Sequence, residues 1–283
     1  MKIKFGLGLI IAAVMSINAF AQQLQSETSG GYQLVWQDDF NQKGAPDSSR
    51  WQYEHGFVRN HELQWYQAEN ANCVGGNLVI KAERVKKLNP SYKPQSTDWR
   101  TNRQFIEYTA ASLNTRHSAS WKYGRFIMRA RIDTAAGLWP AFWTLGMVGQ
   151  WPSNGEIDIM EYYRGKLLAN IACGTAKSYT AKWYSETIPI GDFKDPKWAS
   201  KYHVWRMDWD STAISLFVDD RLLNRVKLDS LVNRDGSGVN PFKQPHYMLV
   251  NLALGGDNGG DPSKTSFPRS YEIDYIRVYQ KKD

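Results

Sequence analysis

The 283-residue chain carries 12 Trp, 15 Tyr and 11 Phe, a formal net charge of +7 and two cysteines. So much aromatic surface exceeds the needs of one core and suits clefts that bind flat sugar faces, while basic residues scattered along the chain argue against a phosphate-tracking stripe and a nucleic-acid partner. Cys73 and Cys173 are too few for a disulfide-built scaffold, and whether they pair or stay as free thiols is open at this level.

Residues 1–21 place Lys2 and Lys4 before an apolar run and end in Ala19-Phe20-Ala21. This is the pattern of a cleavable secretory signal, too short for a membrane span, and it predicts a periplasmic or secreted protein. Without Lys2 and Lys4 the chain keeps 33 Lys and Arg against 28 Asp and Glu, a net +5. Residues 22–31 read as a flexible lead-in, and residues 32–283 as one catalytic domain. Strand-like runs follow at residues 32–40, 51–53, 77–83, 111–115, 124–132 and 141–146, and after the acidic run described next at 168–175, 203–208, 213–218, 246–253 and 271–279. No sustained helical period and no repeat interrupts them, which predicts an all-β antiparallel sandwich. Val218-Asp-Asp-Arg221 reads as a tight hairpin turn and residues 255–260 as a flexible glycine loop. Two polar insertions, residues 86–103 and 178–198, can shape a binding surface.

Within Trp151-Pro-Ser-Asn-Gly-Glu156-Ile-Asp158-Ile-Met-Glu161-Tyr-Tyr163, three carboxylates sit in an apolar, β-prone run. Strand alternation puts Glu156 and Asp158 on one face and Ile157 and Ile159 on the other, in a core. The same rule would bury Glu161, so a β-bulge is predicted at Ile159 or Met160 that returns Glu161 to the face of the other acids. Three aligned acids fit a paired-carboxylate glycosidase with a third acid tuning the first, whereas a solvated strand edge is the plainer alternative. Trp139, Trp143, Trp65 and Trp151 are the candidate sugar platforms, with core packing as the alternative role. Asn60, Glu62 and Arg125 are the candidate polar contacts to substrate, or else salt bridges of the sandwich. The five histidines show no metal-ligand spacing.

The three acids, preceded by Gly137-Leu-Trp-Pro-Ala-Phe-Trp143, resemble glycoside hydrolase family 16, and the resemblance covers nearly the whole chain after the signal. Val35-Trp-Gln-Asp-Asp-Phe40, Glu62-Leu-Gln64, Tyr123-Gly-Arg-Phe126 and Tyr271-Glu-Ile-Asp-Tyr-Ile-Arg-Val-Tyr279 match family landmarks in order. The E-x-D-x-x-E spacing is similar to the bulged branch of laminarinases, agarases, porphyranases and endo-β-galactosidase-like enzymes. The resemblance implies a jelly roll with a substrate cleft on its concave sheet, and a retaining endo-β-glycosidase. In it Glu156 is the nucleophile, Asp158 the assisting acid and Glu161 the general acid/base. It implies no cofactor for catalysis, and a possible structural calcium with Asp274 as a ligand. Laminarin-cleaving members carry a His-Gly-Thr-x-His-Trp pattern after the acids. Leu168-Ala-Asn-Ile-Ala-Cys-Gly-Thr175 lacks its histidine and tryptophan, which moves the expected substrate toward a galactose-containing glycan, either algal galactan or mucin-type poly-N-acetyllactosamine. A β-1,3(4)-glucan endohydrolase and a transglycosylase are alternatives. A non-catalytic carbohydrate-binding sandwich is another, disfavoured by the aligned acids. The expected partner is an oligo- or polysaccharide, with no nucleic acid and no membrane span, and the expected state is a monomer.

Overall fold

The computed structural model describes residues 27–282, so the signal reading over residues 1–21 and the start of the lead-in lie outside the described residues. In chain order the first strands are β1 (Tyr32–Asp38), β2 (Gln52–Tyr53), β3 (Gln64–Tyr66), β4 (Ala71–Val74), β5 (Asn77–Leu88), β6 (Phe105–Ala110), β7 (Ser112–Asn114) and β8 (Gly124–Arg131). They are followed by β9 (Leu138–Gly146), β10 (Glu156–Tyr163), β11 (Lys166–Gly174), β12 (Ala181–Pro189), β13 (His203–Trp209), β14 (Ala213–Val218), β15 (Arg221–Lys227), β16 (His246–Leu254) and β17 (Arg269–Lys281). Two sheets form the predicted sandwich. One runs β15-β14-β13-β8-β17-β5-β6-β3, with β1 added on β17 and β4 on β5; the other runs β12-β11-β10-β9-β16-β7-β2. Among the described residues no helix is long and apolar enough to cross a membrane.

Strand periodicity explains which faces meet. Along β13, buried residues alternate with half-buried ones, the signature of a strand with one face on a core. One apolar cluster joins the inner faces, with Phe126 and Met128 of β8, Trp205 and Met207 of β13, Phe142 of β9 and Val250 and Leu252 of β16. Cys73 and Cys173 are both buried in it as free thiols, which resolves the question of their pairing.

The bulge falls where alternation required it. Asp158 pairs with Trp143 on β9 and Met160 with Phe142, which leaves Ile159 without a partner there. Against β11, Asp158 pairs with Asn170 and Glu161 with Leu168, so Ile159 and Met160 together oppose one residue. Both side chains enter the core, fully buried, and Glu161 is thereby turned back to the outer face. Three rows then cross that face from β9 to β12: Leu145-Glu156-Ala172-Trp183, Trp143-Asp158-Asn170-Ser185 and Ala141-Glu161-Leu168-Thr187. Because Ile159 anchors the bulge, Ile159→Ala is expected to cost about 2–5 kcal/mol, lowering Tm by roughly 2–4 °C per kcal/mol. Thermal unfolding followed by circular dichroism checks this, and an unchanged Tm would contradict the anchoring role.

Several local expectations are modified. Residues 86–88 of the first insertion continue β5, and the polar edge strands β12 and β15 add to the runs read from hydrophobicity. Val218 pairs with Arg221 across a two-residue turn, with Asp219 at φ 51. The lead-in is tied down where it is described: the Glu27 carboxylate is buried and accepts from Tyr275 at 3.2 Å, from Arg277 at 3.3 Å and from Tyr279.

Candidate active site

β10 presents Glu156, Asp158 and Glu161 on the outer face of the seven-stranded sheet. Each carboxylate has its own donors. Glu156 accepts from the Trp151 indole and from Asp158. Glu161 accepts from Trp139 Nε1 on β9 at 2.6 Å and from Asn170 Nδ2 on β11 at 3.1 Å. Burial, followed by the charges of Glu156 and Glu161, holds the Asp158 carboxyl far above the usual carboxylate range. Asp158 is therefore the protonated partner that donates to Glu156. Burial also pushes the Glu161 carboxyl up, to about 8; the Glu156 charge adds to the rise, and the Trp139 and Asn170 hydrogen bonds oppose it. Burial raises Glu156 as well, against the lowering effects of Trp151, Asp158 and the Arg59 charge. At neutral pH this array can offer one anionic carboxylate and one proton-bearing carboxyl, the two states that glycosidic cleavage requires.

Trp139→Phe deletes a donor to the Glu161 anion, so the Glu161 pKa rises further and the acid keeps its proton to higher pH. The basic limb of kcat/KM against pH is accordingly expected to move upward in this variant. A shift toward lower pH would refute the assignment.

A wall closes the site beyond β9. The Trp143 indole donates to Asn251 Oδ1 of β16 at 2.8 Å, and the Arg59 guanidinium lies 5.1 Å over its ring. Arg59 is held by Glu54, whose other oxygen accepts from Ser112 Oγ at 2.6 Å. Glu62 is buried and accepts from Gln64 Nε2 at 2.7 Å, Tyr66 OH at 3.2 Å and Asn60 Nδ2 at 3.3 Å. This loop rests on the glycine segment, which is a seat rather than a free loop. Asp257 N donates to Asn60 O at 2.9 Å, and a Cβ on Gly256 would stand 2.4 Å from that oxygen, at a φ of 62 that side chains rarely adopt. The first insertion braces the same loop, with Arg103 donating to Glu62 O at 2.6 Å and to His61 O at 2.8 Å.

The structure thus gathers Glu156, Asp158, Glu161, Trp139, Trp143, Trp151, Asn60 and Glu62 on one side of the sandwich. Two candidate substrate contacts lie elsewhere. Arg125 sits on β8 in the other sheet, where Asp208 is its cross-strand partner and binds it at 2.7 Å, so it is a structural ion pair. Trp65 alternates away from Gln64 and Tyr66 into a satellite cluster with Phe57 and Ile106, and is 9% exposed, closed to a sugar face. Asp274 pairs with Arg129, and among the described residues no group of three or more His, Cys, Asp or Glu could hold a metal.

Five residues outside the candidate set complete the site: Arg59, Gln64, Tyr66, Asn170 and Asn251. The period-two pattern Glu62-x-Gln64-x-Tyr66 was a usable signal for two of them. Asn170 and Asn251 become visible only through strand register.

The sequence profile of glycosyl hydrolases family 16 matches residues 57–277. The chain is 35% identical over 273 residues to a beta-glucanase of Rhodothermus marinus, with 90% of this chain and 88% of that one covered. It is 26% identical over 254 residues to a keratan-sulfate endo-1,4-beta-galactosidase of Sphingobacterium multivorum, over 88% of this chain and 55% of the relative. A solved structure, from work on endo-acting O-glycanases that prominent human gut bacteria express to initiate mucin breakdown, superposes with a TM-score of 0.81. Its identity is 32%, covering 90% of this chain and 92% of that one.

Proposed function

This chain belongs to glycosyl hydrolase family 16 and is an endo-glycosidase, and on that premise we propose that it cleaves internal β-linkages of a galactose-containing glycan with retention of configuration. The substrate in this reading is a poly-N-acetyllactosamine or mucin-type O-glycan, or an algal galactan. The observation that carries it is the acid array: Glu156, hydrogen-bonded by Trp151 and Asp158, shares one strand face with Glu161, whose carboxyl burial pushes up to about 8. In the first step Glu161 delivers its proton to the leaving glycosidic oxygen while Glu156 attacks the anomeric carbon, forming a glycosyl ester. Asp158 donates a hydrogen bond to Glu156 and tempers its negative charge. In the second step Glu161, now anionic, takes a proton from water, which attacks the anomeric carbon and breaks its bond to the Glu156 oxygen, releasing the carboxylate. Trp139 and Asn170 stabilise Glu161 in that anionic interval.

The substrate assignment is supported by the outward residues of β11, Leu168, Asn170 and Ala172, which put neither histidine nor tryptophan beside the acids. It is supported further by similarity to the galactosidase and to the O-glycanase work. The identity with the beta-glucanase favours β-1,3(4)-glucan as the second reading. Export through residues 1–21 would bring the enzyme to such polymers. The test is a product screen on mucin O-glycans, poly-N-acetyllactosamine, agarose, porphyran, carrageenan, laminarin and mixed-linkage glucan. Proton NMR of the first-formed anomer accompanies it. Oligosaccharides with β configuration from the galactose-containing chains are expected; release from the glucans alone would transfer the assignment to the second reading, and α products would exclude retention.

A further inference from the structure

Of the 12 tryptophans, the two most exposed to solvent are Trp151 at 36% and Trp183 at 40%. Trp151 is already engaged, through its bond to Glu156. Trp183 lies on β12, the polar edge strand that hydrophobicity does not reveal, and an exposed indole on a sheet edge invites aggregation unless it has a use. Register gives its position. Trp183 pairs with Ala172, and Ala172 with Glu156, so the indole shares the outer face with the nucleophile, two strands away, roughly 10 Å across the sheet.

The ground between them is low. Ala172 contributes a methyl group, and the neighbouring row contributes Asn170 and Ser185. At the far end the Trp183 ring meets no aromatic or cationic partner, and its N–H donates to nothing among the described residues. Its neighbours on that strand face are Ala181, Ser185 and Thr187, so it is a lone ring rather than a contiguous apolar patch of the kind a protein partner covers. A single exposed indole at the end of a shallow, polar track from the reacting carboxylates matches the apolar C–H face of one pyranose ring.

We infer that Trp183 is a sugar platform of this groove, seating a hexopyranose unit of the bound β-glycan beyond the unit that reacts at Glu156. This rests on the reading of the groove as a β-glycan site given above, but not on which β-glycan occupies it.

The test measures binding by titration calorimetry in the inactive Glu156→Gln protein, using a poly-N-acetyllactosamine octasaccharide, an agarose-derived hexasaccharide and laminarihexaose, with the matching disaccharides. Adding Trp183→Ala is expected to weaken the longer chain that binds by about tenfold, the worth of one aromatic stacking contact. The disaccharide, too short to span from Glu156 to β12, should change less than twofold. Trp183→Phe should recover most of the loss, and the unfolding midpoint should stay within the error of the parent. Equal affinity with and without Trp183 would overturn the platform. So would a loss that is the same for disaccharide and octasaccharide and comes with a lowered midpoint, because that marks a structural role. If none of the three long chains binds the folded Glu156→Gln protein, the reading of the groove itself falls, an outcome distinct from failure of Trp183 alone.

Discussion

Glu156→Gln should lower kcat on the cleaved glycan by on the order of 10⁴-fold or more, about 5.5 kcal/mol of barrier, while oligosaccharide affinity stays within a few-fold. An amide is nearly isosteric with the carboxylate and keeps an oxygen for the Trp151 bond, yet it cannot form the glycosyl ester. The loss should therefore be the same for every leaving group, and exogenous azide, attacking from the face that Glu156 occupies, should not restore retained product. Asp158→Asn combined with Glu156→Gln is expected to cost little beyond the single change, because Asp158 acts through Glu156 and groups that work as a unit are not additive. Steady-state rates with purified variants, together with calorimetric affinities, decide the matter. A kcat within tenfold of the parent would remove Glu156 from the nucleophile role.

Glu161→Gln should behave differently, and the difference is diagnostic. On the natural glycan, general acid assistance is typically worth about 10²–10⁴-fold, so kcat/KM should fall by that amount. A dinitrophenyl glycoside needs no proton for departure, and its first step should lose far less. The ester then accumulates, since the base for the second step is gone, and azide should accelerate turnover and yield a β-glycosyl azide. The basic limb that Glu161 sets near pH 8 should vanish from the pH profile. Equal loss on activated and natural substrates, with no azide product, would assign the proton transfer to another group.

Much of this site was legible because the rules of a strand are local. Three acids among isoleucines, with Glu161 out of phase, required a bulge, and the register places it at Ile159 and Met160. The hidden parts depend on partners distant in sequence. Nothing near Arg125 announces Asp208, 83 positions later, as its ion-pair partner. Trp65 is flanked by two residues that donate to Glu62, and composition alone cannot say that its own ring turns the other way. Asn170 and Asn251 look like ordinary strand polars until pairing sets them against Asp158 and Ala141. β12 escaped because an edge strand with a solvated face needs no hydrophobic alternation, and that strand holds Trp183.

β17, the final described strand, sits in the middle of the ten-stranded sheet, between β8 and β5, and also carries β1. A chain emerging from its N-terminus can therefore assemble hairpins such as β13–β14 early, but the larger sheet stays split until β17 arrives. Pairings this distant in sequence make folding slow and late. The seat for the Asn60–Glu62 loop at Gly255–Gly256 is likewise supplied by the last part of the chain. No shortened product ending before that segment could have a working groove. Catalytic competence thus waits on β17 and on Gly255–Gly256, and partial chains that stop short of them carry acids without a site in which to use them.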